Sequence, residues 1–307
     1  MSLFDLFSLR LRTPEEVEAA RAAAEKAQRE QLARIQAGAV AWSANLKFQP
    51  LTAEAAATRA QRAKSGESAV ELRYYHKLYI KADTYKVYDL FPESAVFSPQ
   101  RRHNFNEHAD NVLPKSADGK FAYGKIPLPL GTGIYCCIGR TIGMVYFDAP
   151  IAIPVLWEHH VYGWEETPWM SLTPNEYLTL TPGTKQATGR VVIGGLGLGH
   201  QLIEVSKKRS VKEIILIERS GALIDWLMPR IQPLMGPAPL RVVRGDIFAP
   251  TTWNEVGGVV DAAIIDVFPV FGNNGPQLAR IQAVAASASG VTIKKWWGWG
   301  TLPVAQQ

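Results

Sequence analysis

The sequence predicts an α/β protein built on a doubly wound parallel sheet, shortened at its C-terminal edge. A helical arm and a small β-rich region precede that sheet. Three observations carry the prediction. From Arg190 onward, strand-like and helix-like runs alternate; the strand-like runs are almost continuously apolar; and a turn with four glycines separates the first strand from the first helix. Strands that are buried on both faces lose the apolar–polar alternation of half-exposed strands, and intervening helices must cover both faces.

The elements follow in order. Residues 13–37 read as one exposed helix. Thr13 is a good N-cap, Pro14 suits the first helical position, and Glu16 completes a capping box. Glu15, Glu16 and Glu18 sit at the positive end of the dipole, and Gly38 supplies the stop. Val17, Leu32 and Ile35 are its few large apolar groups, which makes it a solvated arm or a surface for a homo-oligomer or larger assembly. Residues 39–125 show no sustained period. Arg101, Arg102 and His103 form a small basic cluster, read as a solvated loop face. The expected divisions are a helical arm and mixed region over 1–125, a small β-rich region with an entry helix over 126–185, and the α/β domain with the parallel sheet over 186–307.

Residues 126–130, 134–138 and 143–147 are short β-prone runs punctuated by Gly and Pro, predicting a small antiparallel sheet. His159 and His160 follow. Adjacent histidines cannot make the one-face i, i+4 ligand geometry of a helix, so no metal site is expected. In the last region, strands are predicted at 191–193, 213–217, 240–243, 261–265 and 290–293. Helices are predicted at 200–208, 222–227 and 276–288. The residues after Gly290 are too few for two further closing strands, which is why the sheet reads as shortened.

Composition bounds the function. Hydrophobic residues make up 47% and charged residues 20% of 307 residues, enough apolar chain for a sizeable core. No run of about 18 apolar residues is present, so no membrane span is expected. The early Asp5 and the lack of a basic lead-in do not resemble a secretory signal. The two cysteines, Cys136 and Cys137, are adjacent, which excludes a disulfide framework and points to a cytoplasmic setting. A net charge of +5 permits an anionic partner without demanding one, and no run of five or more like charges marks a nucleic-acid tail.

The chemistry concentrates at Gly194, Gly195, Gly197 and Gly199. A tight strand-to-helix turn needs glycine, and so does a backbone that must approach a ligand without a Cβ in the way. The helix that follows adds N–H groups and partial positive charge. Three acids end the next strands. Glu218 lies about 20 residues beyond the glycines, where a carboxylate accepts ribose hydroxyls. Asp246 follows the third strand in Gly245-Asp246, and Asp266 ends the fourth. Ligands of open parallel sheets bind beyond the carboxyl ends of the strands, so the three acids should share one cleft. A nicotinamide-dependent dehydrogenase would use the glycines and Glu218, but it leaves Asp246 and Asp266 unexplained.

With these residues in view, residues 186–307 resemble the class I, Rossmann-like S-adenosylmethionine-dependent methyltransferases, in particular their spermidine-synthase-like branch. The resemblance implies that the glycine loop holds the methionine part of S-adenosylmethionine, Glu218 the ribose, and Asp246 the adenine amino group. It places Asp266, with Phe268 and Pro269, in the active-site motif, where Asp266 would orient or deprotonate the acceptor. Glu176, Tyr177 and Asn273 are the further substrate-side residues. Residues 170–177 and 145–148 are similar to the β region and entry helix that precede the glycine loop in aminopropyltransferases. Two departures stand out. The Pro-Pro-aromatic signature of amino methylation is absent after Asp266, and Val270 and Phe271 stand where aminopropyltransferases carry a second aspartate. The implied function is an S-adenosylmethionine-dependent methyltransferase whose acceptor, a small molecule, protein or nucleic acid, the sequence does not name. The alternatives are an aminopropyltransferase using decarboxylated cofactor, and a non-catalytic assembly protein that kept the fold. Trp296, Trp297 and Trp299 either stack on a planar substrate or plug the shortened sheet edge.

Overall fold

The computed structural model describes residues 76–85, 87–94, 96, 112–138, 141–160, 163–164, 168–269, 272 and 274–301, with isolated residues between 13 and 26. Of the expected arm, Glu15, Glu18, Ala19, Arg21, Ala22, Ala23 and Lys26 are helical and exposed. The remainder of the arm, the basic cluster at 101–103 and Asn273 lie outside the described residues.

Among the described residues, seven strands precede the parallel sheet: β1 (His76–Ile80), β2 (Phe121–Leu128), β3 (Ile134–Ile138), β4 (Thr141–Phe147), β5 (Ile151–His160), β6 (Gly163–Trp164) and β7 (Met170–Ser171). They form two small sheets, ordered β1-β4-β3 and β2-β5-β6, with β7 also paired to β5. The expected antiparallel pairing is found between β3 and β4 and along the ladder of β2 and β5, where Phe121 stands opposite Glu158 and Leu128 opposite Ile151. The first sheet is mixed rather than antiparallel, because β1 joins β4 in parallel. The connection from β1 to β4 runs through β2 and β3, so β1 enters as a crossover and not as a hairpin arm.

Helix α1 (Pro174–Gln186) links the two halves. Thr173 caps it, Glu176 closes the capping box, and Pro174 occupies a first-turn position where its missing N–H costs nothing. Tyr177 and Leu178 pack with Ile80 and Val145 of the first small sheet and with Tyr85 beyond β1, whereas Leu180 joins the core of the parallel sheet.

The second half runs β8 (Gly189–Gly194), α2 (His200–Ser206), β9 (Val211–Glu218), α3 (Gly221–Ile231), β10 (Leu240–Arg244), α4 (Pro250–Val256), β11 (Gly258–Val260), β12 (Ala262–Ile265), α5 (Gly275–Ser287), β13 (Val291–Ile293) and β14 (Trp296–Gly298). The main sheet has the order β10-β9-β8-β12-β14, and every pair in it is parallel. Alternate residues separate cleanly onto two faces. Val191, Ile193, Ile214, Leu216 and Ile264 pack with Leu202, Leu223 and Leu227 of α2 and α3. Val192, Ile215, Ile217, Ala263 and Ile265 pack with Trp253 and Ile281 of α4 and α5. The sheet is thus doubly wound, and each fully buried aliphatic side chain contributes about 1.5–3 kcal/mol. Strand order reverses between β8 and β12, which opens a crevice at their carboxyl ends.

The predicted fifth strand at 290–293 needs correction. Among the described residues β13 pairs only with β11, in a separate two-stranded sheet, and β14 joins the main sheet against β12. Asp261 separates the two pairings. Its carboxylate holds the Arg190 amide at 2.9 Å and the Lys294 ammonium at 2.7 Å. Trp296 and Trp297 are therefore the edge strand itself, with half-buried side chains, rather than a plug beside it.

Arg190 fastens the end of the sheet opposite the crevice. Its Nε donates to Glu213 Oε2 at 2.7 Å, and its guanidinium also donates to the carbonyls of Val256 and Gly257 at the end of α4. Charge-assisted bonds to half-buried carbonyls are worth more than neutral ones. Arg190→Met is expected to lower unfolding free energy by about 2 kcal/mol in urea titration, while leaving ligand binding at the far end of the sheet unchanged.

Candidate functional site

The site begins where β8 and β12 end. The Asp266 amide donates to the Gly194 carbonyl at 2.9 Å, and the next residue, Gly195, turns away with φ +94°. A Cβ on Gly195 would collide with the Asp266 carbonyl oxygen. The two strand ends approach as closely as backbones can, and only glycine fits between them. Gly197 has φ +50°, and the Met170 sulfur occupies the space a Cβ would take there.

Glu218, at the end of β9, organises this loop. Its side chain is buried. Oε2 accepts the Leu196 amide at 2.9 Å, and Oε1 accepts the Ser220 amide at 2.8 Å at the start of α3. One carboxylate thereby holds the glycine loop and the next helix in register. A carboxylate has about four acceptor positions, so two remain for a ligand. Gly245 donates to the Glu218 carbonyl at 3.1 Å. Asp246, next in sequence, is exposed and turns the chain by accepting the Phe248 amide at 2.9 Å.

Asp266 differs from these two acids. It is half-buried and accepts no side-chain hydrogen bond from any described residue. Burial, and then the nearby Glu176 carboxylate, raise its pKa to about 7. Burial pushes Glu176 upward too, against its hydrogen bonds from Ser171 Oγ at 2.6 Å and the Thr173 amide at 3.1 Å. Those bonds are the N-terminal cap of α1, so Glu176 acts on Asp266 through its charge.

These groups open onto a cavity of about 590 Å³, within the range of roughly 300–1,000 Å³ common for small-ligand sites. Of the sequence-predicted residues, Glu176, Gly195, Gly197, Glu218, Gly245, Asp246, Asp266, Phe268 and Pro269 line it. Gly194, Gly199 and Tyr177 do not. Gly194 backs onto Ile247 and Ile265, Gly199 caps α2 in a left-handed conformation against Ile231, and the Tyr177 ring packs 4.9 Å from that of His200. Sequence reasoning missed the wall contributed by the small sheets: Lys120, Phe121, Glu158, Trp169, Met170 and Ser171. It also missed His200, Gln201 and Arg219, and it left the role of Trp299 open. Trp299 is fixed by its indole N–H on Thr179 Oγ1 at 2.9 Å and by its carbonyl, which accepts the Asn274 amide side chain at 2.9 Å. Only Trp169 to Ser171 carried a local signal, as the residues directly before the α1 cap.

The donor set suits a nucleoside. Bare backbone at Gly195 and Gly197, two remaining acceptor positions on Glu218, an exposed Asp246 and the apolar Leu196, Ile247 and Phe248 share one wall. Among the described residues no group of three or more His, Cys, Asp or Glu could hold a metal ion, and no helix is long and apolar enough to cross a membrane.

No protein-family model matches the chain, and no curated protein matches it. Among solved structures it is similar to a precorrin 8w decarboxylase from Methanobacterium thermoautotrophicum, with 18% identity over 37% of this chain and 58% of that one, and a TM-score of 0.26. It is similar to a spermidine synthase in complex with the transition-state analogue AdoDATO, with 16% identity over 53% and 56% and a TM-score of 0.30. It is also similar to the spermidine synthase from Thermotoga maritima, with 15% identity over 59% and 61% and a TM-score of 0.30. The chain spans about three fifths of the length of these proteins. The fold assignment rests on the chain's own strand order and pairing.

Asp266 also sets a pH dependence. An aspartate in an unfolded chain titrates near ~3.9, whereas Asp266 titrates at about 7 in the folded protein. The folded state holds this proton more tightly, so stability should fall as pH rises from about 4 to about 7 and level off above that. Asp266→Asn should remove this part of the slope. Chemical denaturation of both proteins across the window checks it, and a wild-type-to-variant difference that stays constant from pH 4 to pH 7 would contradict it.

Proposed function

We propose that the chain is an S-adenosylmethionine-dependent methyltransferase, with the acceptor held over Asp266. The observation that carries this reading is the convergence of Gly195, Gly197, Glu218, Asp246 and Asp266 on one cavity at the switch point of the sheet. When bound, S-adenosylmethionine supplies a methyl group on a positively charged sulfur. The remaining acceptor positions of Glu218 would take the ribose hydroxyls, and Asp246 the adenine amino group. The base would lie against Ile247 and Phe248, and the methionine chain would pass over the bare backbone of Gly195 and Gly197.

Transfer requires alignment and exclusion of water more than acid–base chemistry. Trp169, Met170 and Trp299 enclose the cavity and serve the second need. Asp266 serves acceptors that must first lose a proton. With a pKa near neutrality it is partly ionised at pH 7, so it takes the acceptor's proton onto a carboxylate oxygen. The electron pair so freed on the acceptor would then be available for the methyl group that S-adenosylmethionine would supply, with Asp266 keeping the proton.

Aminopropyl transfer is a second reading, favoured by one observation. Glu158, Glu176, Glu218, Asp246 and Asp266 outnumber Lys120 and Arg219 around the cavity, which suits a cationic acceptor.

Calorimetry with S-adenosylhomocysteine tests the cofactor. Binding in the micromolar range is expected, and Glu218→Ala should weaken it at least about tenfold by removing the ribose acceptor and loosening the loop. No heat at millimolar ligand would remove both transferase readings. Mass analysis of products separates them, since a methyl group and an aminopropyl group add different masses.

A further inference from the structure

Resting on the transferase reading, we propose that the acceptor is an arylalkyl ammonium: an aromatic ring that lies on Trp169, carrying a protonated amine directed to Asp266.

The ring follows from the outer wall of the cavity. Trp169 is 37% exposed, an unusual condition for so large an apolar group, and it lines the cavity. Its ring is not mobile decoration. The buried Phe121 backs it at 5.7 Å between centroids, and β7, which begins at the next residue, pairs with β5 through Leu156 and Val155. A held indole with one face toward a cavity is a platform for a flat ring or a cation.

The ammonium follows from charge. Glu158, Glu176 and Asp266 line the cavity with a single lysine, Lys120, which is exposed, and Glu158 also has the His160 Nε2 at 3.9 Å. Glu158 is placed beside the platform by the ladder, directly opposite Phe121. Asp266 receives no side-chain hydrogen bond from any described residue, and a half-buried carboxyl without a donor leaves its oxygens open to a cation from outside. Gln201 adds a second, independent signal. It is only 7% exposed and lines the same cavity, and its Oε1 is buried without a hydrogen-bond donor while its Nε2 is spent on the Leu180 carbonyl at 3.3 Å. Unmet acceptors call for N–H donors, and an ammonium supplies three. An anionic acceptor, or an apolar one without N–H donors, would leave Asp266 and the Gln201 Oε1 unmet.

Three probes separate the parts of the inference: tyramine, with ring and ammonium; putrescine, with ammonium and no ring; and p-cresol, with ring and no charge. Each is titrated calorimetrically into the whole protein, with and without S-adenosylhomocysteine. Tyramine is expected to bind at least about tenfold more tightly than either of the others. Trp169→Ala should abolish that preference, and Trp169→Phe should keep most of it, which separates loss of the platform from loss of the fold. Equal or better binding of putrescine, or of p-cresol, would overturn the proposal. Failure of S-adenosylhomocysteine to bind would sink the cofactor reading instead. The ranking of the three probes on the ligand-free protein would still decide this one.

Discussion

The close approach of two strand ends governs the rest of the architecture. β8 and β12 are neighbours in the sheet but carry the chain in opposite directions around it. Where they part, Gly195 meets the Asp266 carbonyl with no room for a side chain. That contact fixes two things together. The loop must turn with a positive φ that glycine adopts without strain, and Asp266 must emerge beside it. Glu218 then ties the same loop to the start of the next helix through two backbone amides. Loop, helix and acid are therefore set by backbone hydrogen bonds, which gives the cavity a stiff wall before any ligand arrives.

The opposite wall is made by a different logic. The small sheets are not paired into the parallel sheet, although Phe121, Tyr123 and Leu156 pack into its core, and their ends supply Phe121, Glu158 and Trp169 to the cavity. α1 joins the two walls, with Tyr177 and Leu178 in one core and Leu180 in the other. Glu176 shows how closely structure and chemistry are coupled here. Its carboxylate is spent on capping α1, and the charge it must carry to do so lifts the pKa of Asp266. A residue with an ordinary structural duty thereby adjusts the acid at the centre of the cavity.

How much of this the sequence showed depends on how local the determining forces are. The parallel sheet was legible because continuous apolar runs at 191–193, 213–217 and 240–243 leave strands no solvent face, and because four glycines mark the turn between strand and helix. Glu218, Asp246 and Asp266 were legible for the same reason: a strand end is a local event. The fifth strand was misplaced because Lys294 and Lys295 interrupt Val291–Gly298, and only the pairing of Asp261 with Lys294 and Arg190 shows where one sheet stops and the other starts. β1 and β5 went unread. His76–Ile80 mixes aromatic and charged residues, and Ile151–His160 carries a proline and ends in two histidines. β1 pairs with β4 and β5 makes its long ladder with β2, both far along the chain, and β6, the near partner of β5, is too short to announce it. Lys120, Phe121 and Glu158 come to the cavity only through that long-range pairing.

The claim beneath all of this is that the wall formed by Gly195, Gly197 and Glu218 is a nucleoside site. A crystal structure of the protein soaked with S-adenosylhomocysteine addresses it most directly. The account predicts density for the ribose within hydrogen-bonding distance of Glu218, with the Leu196 and Ser220 amides still on that carboxylate. A ligand bound elsewhere, or one that enters only by breaking those two bonds, would contradict it.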